Sequence, residues 1–193
     1  MIRKANISNI VNSEMLSSFD CGEGSVNSFL SNEALEYNRK NLFPTTIFYS
    51  VEDKRIVGFY ALTSSIVEVK SSYDVNKFEN LGVEAEDVES LSVLSYPATE
   101  LAWFGVDRKY QNQKYGSSIL LDAFRSVVGV KSLLNVGTVG IEVDSLPGAI
   151  EFYQRFGFSY LHVDYDNSMA MPDAYPMFVA MEDIESIIEE LDK

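Results

Sequence analysis

One cysteine, one histidine and five prolines are spread over 193 residues. No uninterrupted apolar stretch approaches the roughly 18 residues that a membrane-spanning helix needs. The single thiol, Cys21, cannot form an internal disulfide or supply a cysteine-based zinc site, and nothing basic beside it in sequence activates it, so it reads as packing. His162 stands alone as well, which argues against a His-rich metal site and a Ser-His-Asp triad; it reads as a surface or satisfied core residue, and no metal is expected. The opening MIRKANISNIVNSEML lacks the apolar centre of a secretion signal, so a cytoplasmic protein without membrane association is expected.

Positive charge is also scarce. Fifteen Lys and Arg face 29 Asp and Glu, a formal charge of −14, which gives no general attraction to a nucleic acid backbone although a local basic patch remains compatible with it. The acid gathers in one segment (Asp74, Glu79, Glu84, Glu86, Asp87, Glu89) and at the C-terminus (Glu182, Asp183, Glu185, Glu189, Glu190, Asp192), and both read as solvated faces. What is abundant is ordinary globular material: 46% hydrophobic and 12% aromatic residues, enough for a real core. Without repeats or a Pro/Gly-rich linker, the chain reads as one domain over 1–193.

Hydrophobic periodicity supplies the elements. Ser25 can cap a helix whose Val26, Phe29, Leu30 and Ala34 form one stripe. Thr45–Val51 and Arg55–Ser65, rich in β-branched and aromatic residues, flank Glu52-Asp53-Lys54 as an antiparallel hairpin. Ser71 to Pro97 carries no clear period. Glu100–Val106 is a strand followed by the polar turn DRKYQNQKYG and a helix near Gly116, where Ile119, Leu120, Ala123, Phe124, Val127 and Val128 make an apolar band. Thr138–Val143 is a further strand leading to Pro147, which suits a first helical turn, and Gly157 ends that short helix. SYLHVDY and MFVAM are strands, and Ile184, Ile187, Ile188 and Leu191 give an amphipathic C-terminal helix. The class is mixed α+β.

The passage from strand to helix through Gln111-Asn112-Gln113-Lys114-Tyr115-Gly116 and into Ser117 is the feature with chemical content. Amides at a helix start, backed by the helix dipole, suit a diphosphate, and Arg108, Lys109 and Lys114 add cations within seven positions. An ordinary strand–loop–helix turn is the competing reading.

The stretch FGVDRKYQNQKYGSSILLDAF resembles motif A of the GNAT superfamily of acyl-CoA-dependent N-acetyltransferases, Gln/Arg-x-x-Gly-x-Gly/Ala, which grips the pyrophosphate of coenzyme A. Gln111 matches its first position and Gly116 its last, while Lys114 stands where the middle glycine is usual. AIEFYQRFGF (Ala149 to Phe158) is similar to the family's Ala-x-x-x-Tyr-x-x-x-Gly-Phe signature, with Leu146 where an Asn is often found. The order and separation of the two motifs match the family, and the resemblance extends over roughly residues 46 to 181. FDCGEGSVNSFL, RIVGFYALTSS and YPATELAWFGVD look like the branch containing toxins that acetylate aminoacyl-tRNA.

The resemblance implies a GNAT fold, a mixed and mostly antiparallel twisted sheet splayed around an acetyl-CoA cleft with helices on both faces. It implies acetyl-CoA as cosubstrate and direct transfer to a primary amine. Gln111 to Ser117 would hold the diphosphate, backbone groups of Phe104 and Val106 the pantetheine arm, and Tyr153 would protonate the departing thiolate. Taken as residues alone, Tyr153 reads as a buried aromatic of a helix that also offers Ile150, Phe152 and Phe156 to the core. Glu100 lies six residues before Val106, where some members carry a catalytic glutamate, and strand alternation puts it on the face of Ala102, Phe104 and Val106. It is the candidate base, with a solvent-facing strand-end glutamate as the competing reading, and Glu142 interrupts its own apolar strand in the same way. The expected acceptor is a small-molecule or peptide amine. The alternatives are a toxin with an antitoxin and tRNA as partners and a non-catalytic acyl-CoA-binding module; a homodimer is compatible with any of them.

Overall fold

A computed structural model of the chain describes residues 1–9, 13–84 and 94–193, so Glu86, Asp87 and Glu89 of the acidic segment lie outside the described residues. The chain divides into two compact units, Met1–Thr63 with Leu101–Ser126, and Ser64–Glu100 with Val127–Lys193. Among the described residues seven strands, β1 (Ile2–Asn6), β2 (Thr45–Ser50), β3 (Arg55–Val69), β4 (Leu94–Val106), β5 (Gly140–Ser145), β6 (Ser159–Tyr160) and β7 (Tyr175–Ala180), hydrogen-bond in the order β1-β2-β3-β4-β5-β7-β6, mostly antiparallel, and helices complete an α+β architecture. No helix among the described residues is long and apolar enough to cross a membrane.

The first unit holds β1 (Ile2–Asn6), α1 (Ser13–Ser17), α2 (Gly24–Ser28), α3 (Ala34–Arg39) and β2 (Thr45–Ser50). It also holds the start of β3 (Arg55–Val69), the end of β4 (Leu94–Val106) and the start of α4 (Tyr115–Leu134). β2 pairs antiparallel with both β1 and β3, setting Ile47 opposite Ala5 on one side and Phe59 on the other. Strand β1 was not visible in the periodicity, because its pattern IRKAN is short and mostly polar.

The stripe Val26, Phe29, Leu30 and Ala34 is buried, as its spacing predicts. It is not one α-helix, however. Between α2 and α3, Phe29–Glu33 forms a π-type turn in which the Ala34 amide donates to the Phe29 carbonyl, and the helix starts at Gly24 behind Glu23 instead of being capped by Ser25. The wider turn accompanies an aromatic stack, Phe29 lying 4.2 Å from Trp103 at 5° and 6.1 Å from Phe59. Helix α4 is fixed by Tyr60, whose buried hydroxyl donates to Asp122 (2.8 Å), itself paired with Lys4. Gly58 permits this approach, since a Cβ there would lie 2.7 Å from both the Gly105 carbonyl and the Ile119 Cδ1.

The second unit is built on β5 (Gly140–Ser145), which pairs in parallel with β4 through Thr99↔Ile141 and Glu100↔Glu142. On its other side β5 runs antiparallel to β7 (Tyr175–Ala180), and β7 pairs with the short β6 (Ser159–Tyr160). This unit also holds the end of α4, the helix α5 (Ile150–Gln154), preceded by a turn opened by Pro147 and followed by Gly157 at φ +83°, and α6 (Met181–Leu191). Its core gathers Val67, Val69, Phe78, Ala98, Leu161 and Phe178. In α6 the expected apolar face holds for buried Ile184, whereas Leu191 is exposed.

Two expectations change here. SYLHVDY is extended only at Ser159–Tyr160, because His162 adopts φ +69°. The acidic segment is not uniformly solvated either, since Asp74 is fully buried. Its carboxylate accepts from the His162 amide (2.8 Å), faces the His162 Nδ1 and Ser71 Oγ at 3.1 Å, and lies 3.7 Å from Lys77 Nζ. Burial alone would favour its protonated form, but the His162 amide and ring and the Lys77 charge outweigh burial and hold its pKa below the ordinary value.

Candidate functional site

The strand–turn–helix passage lies in the first unit. Strand β4 ends at Val106, the Tyr110 and Gln111 amides donate to the Asp107 carbonyl, and α4 begins at Tyr115. The Ser118 amide donates to the Lys114 carbonyl (3.1 Å), so the amides of Tyr115, Gly116 and Ser117 stand ahead of the helical ladder. Gln111, Asn112, Gln113 and Lys114 are exposed, and Tyr115, Gly116 and Ser117 partly so. An accessible, positively polarised helix start is therefore present where the spacing predicted it.

Two residues of the turn occupy the left-handed region, Asn112 at φ +59° and Lys114 at φ +66°. Lys114 thus takes a glycine-like backbone conformation at the position where the resemblance expects glycine. For a residue with a Cβ this costs about 1–2 kcal/mol. Alternation of left- and right-handed residues turns successive amides into a concavity for anions. Behind the turn, Tyr110 donates to Asp53 (2.6 Å) and meets Tyr115 edge-on at 5.7 Å. Burial first, then Asp53, pushes the Tyr110 phenol up to about 12.

Other side chains of the passage are engaged with neighbouring parts of the first unit. Gln111 Nε2 donates to the carbonyls of Val106 (2.9 Å) and Cys21 (2.8 Å). Arg108 pairs with Asp20 at 3.3 Å. Val106 is buried and Phe104 half-buried.

The acid–base candidates lie in the second unit. Glu100 and Glu142 are directly opposed in the β4–β5 register and both half-buried, so their side chains share a face. Burial raises the Glu100 pKa, with Glu142 and Asp144 adding to it. Glu142 is likewise raised, by burial first and by Asp144, against the lowering effects of a hydrogen bond from the Ser65 hydroxyl and of Lys70 and His162. Tyr153 is buried on α5, with Phe152 and Phe158 each 5.2 Å away, and burial pushes its phenol well up. Among the described residues, no group of three or more His, Cys, Asp or Glu side chains is arranged to hold a metal ion.

Sequence reasoning overlooked two participants. Asp20–Gly22 lies against the turn although its motif carries no periodic signal, and Ser65 reaches Glu142 across 77 positions, a contact only the strand register creates.

The profile of the acetyltransferase (GNAT) family matches residues 16–158. Among solved structures, a bacterial toxin aligns over 98% of this chain and 96% of its own, with a TM-score of 0.75 and 22% identity. AtaT complexed with acetyl-methionyl-tRNAfMet aligns over 97% and 99%, with a TM-score of 0.73 and 20% identity. A mutant of the AtaT toxin bound to the C-terminus of the antitoxin AtaR and acetyl-CoA aligns over 97% and 98%, with a TM-score of 0.71 and 20% identity. At these identities the likeness establishes a shared fold.

Proposed function

Because the chain belongs to the acetyltransferase (GNAT) family, we propose that it moves the acetyl group of acetyl-CoA to a primary amine by direct transfer in a ternary complex. The observation that carries this reading is the exposed turn at Asn112–Lys114, whose two left-handed residues lead into the Tyr115, Gly116 and Ser117 amides. In this reading the Gln111–Ser117 stretch holds the diphosphate, and backbone groups of Phe104 and Val106 hold the pantetheine arm.

The reaction forms a nitrogen–carbon bond and breaks the carbon–sulfur bond of the thioester. The amine must first lose a proton, and the thiolate must gain one. Glu100 takes the ammonium proton. Its half-burial beside Glu142 strengthens its hold on a proton, which makes it a better proton acceptor than an ordinary glutamate. Tyr153 donates to the thiolate, and the burial that raises its phenol keeps it protonated at neutral pH. The paired carboxylates and the formal charge of −14 favour a cationic acceptor such as a polyamine, an aminoglycoside or a lysine-bearing peptide.

A second reading keeps the chemistry and changes the acceptor to the amino group of an aminoacyl-tRNA, with an antitoxin as partner. Its support is the fold shared along nearly the whole chain with AtaT, which has been captured with acetyl-methionyl-tRNAfMet. A screen with acetyl-labelled acetyl-CoA across polyamines, aminoglycosides, lysine peptides and charged tRNA tests both. Label in a small amine supports the first reading, and label only in charged tRNA supports the second. Tight acetyl-CoA binding without transfer to any of them would leave a non-catalytic acyl-CoA-binding module.

A further inference from the structure

The motif FDCGEG lies some ninety positions before the phosphate turn, and its part in the molecule follows from what it touches. Phe19 is buried edge-on against Phe59 at 5.5 Å, which fixes the segment in the core of the first unit. From there the backbone of Asp20 and Cys21 runs along the turn. The Arg108 amide donates to the Asp20 carbonyl (2.8 Å), the Asp20 amide to the buried Asp107 carboxylate (3.2 Å), and Gln111 Nε2 to the Cys21 carbonyl (2.8 Å). The Asp20 carboxylate is itself held by the Gly22 amide and Asn27 Nδ2, both at 2.9 Å, and pairs with Arg108. Asp107 also accepts from the Lys109 amide (3.0 Å) and from Arg55.

These bonds converge on the residues that precede the strained turn. Left-handed conformations at residues with a Cβ persist only where the surroundings over-determine them. Asn112 and Lys114 are exposed at their side chains, so their fixing must come from the chain before and after them. After them stands helix α4, and before them stands Gln111, whose side chain joins the Val106 carbonyl at the β4 end to the Cys21 carbonyl. Both donor bonds of the Gln111 amide group are committed to carbonyls.

We propose that Asp20–Cys21–Gly22 is the positioning element of the phosphate turn, and that the Gln111 side chain is a strut between this segment and β4, not a ligand of the diphosphate. The inference rests on the diphosphate reading above and refines the part of one residue in it. A preset turn meets the ligand without first being ordered, so loss of the strut weakens binding through disorder at a distance from the phosphate oxygens.

The test is calorimetric titration with acetyl-CoA and with S-acetylpantetheine, which lacks the diphosphate and nucleotide. The proteins are the wild type, Asp20→Ala, Gln111→Met and the double variant. Each single change is expected to weaken acetyl-CoA roughly tenfold or more while leaving S-acetylpantetheine affinity unchanged, and the double variant should lose little beyond the larger single loss. Losses that multiply would make Gln111 a direct ligand and overturn the proposal, as would an Asp20→Ala protein that binds acetyl-CoA like wild type. If Asp20→Ala does not fold, Asp20→Asn replaces it, with a smaller loss expected and wild-type affinity again contradicting the proposal. A wild-type protein that binds the two ligands equally would instead overturn the diphosphate reading, whatever the variants do.

Discussion

Around the turn between β4 and α4 in the first unit, Asp20 and Asp107 accept from backbone amides, from Asn27 and from the guanidinium groups of Arg55 and Arg108. In the second unit Glu100 is set opposite another carboxylate, Glu142, which the Ser65 hydroxyl contacts. The same functional group is thus used in two ways. Surrounded by donors, the Asp20 carboxyl is held below its ordinary range by Asn27, Gly22 and Arg108, stays charged, and shapes a loop. Half-buried against a like charge, Glu100 holds its proton more firmly and is suited to exchanging it. The difference separates a carboxylate that builds from one whose surroundings suit it to proton exchange, and it comes from neighbours rather than from residue type.

The largest effect that would sharpen this contrast concerns Tyr153, the acid in the proposed reaction. Tyr153→Phe should lower turnover by roughly 10² to 10⁴ with acetyl-CoA affinity unchanged, read by steady-state kinetics and calorimetry. Unchanged turnover would remove the phenol from the chemistry.

Next in size is Asp74, the donor-saturated carboxylate of the second unit. Asp74→Ala should cost about 3 kcal/mol in urea denaturation at pH 7, because His162 and Lys77 lose a fully buried partner. Its pKa is depressed in the folded state, so its contribution is present above the unfolded carboxyl value near 4 and disappears as pH falls through the folded one. A wild-type stability curve without an acid-side fall attributable to Asp74 would break the assignment.

Glu100 and Glu142 should behave oppositely. Their folded pKa values are raised, so the advantage they give to folding is complete below about pH 4 and is lost as pH rises through the raised values. Glu142→Gln should therefore raise stability at pH 7, by about 0.5 kcal/mol after allowance for solvent screening. It should also move the low-pH limb of the rate profile to lower pH, whereas Glu100→Gln should abolish that limb. A limb unmoved by either substitution would assign the proton to another group.

An effect of similar small size, with no change in the chemistry, concerns strain in the turn. Lys114→Gly should stabilise the protein by about 0.5–1 kcal/mol in thermal denaturation, since glycine adopts φ +66° without steric cost. A loss of stability would show that the lysine side chain compensates for its backbone.

Much of this is legible in the amino-acid sequence. The apolar band of α4, the β2–β3 hairpin and the turn into Tyr115 follow from spacing, because each depends on neighbours within a few positions. The π-type turn at Phe29–Glu33 was not, since its widening accompanies stacking on Trp103, more than seventy positions away. Asp74 looked like one acid among many until the chain brought His162 to it. Glu100 and Glu142 were each suspected singly, and only the parallel register makes them a pair. Lys114 looked like a departure from a glycine-bearing turn, yet its backbone adopts a left-handed conformation that glycine takes freely.

The central claim is that the helix start at Tyr115–Ser117 receives a diphosphate. Titration of ¹⁵N-labelled protein with acetyl-CoA, followed at the amide resonances of Tyr115, Gly116 and Ser117, tests it most directly. Saturable shifts of these three amides are expected with acetyl-CoA and not with S-acetylpantetheine. Saturating acetyl-CoA that leaves them in place while other resonances move would contradict it.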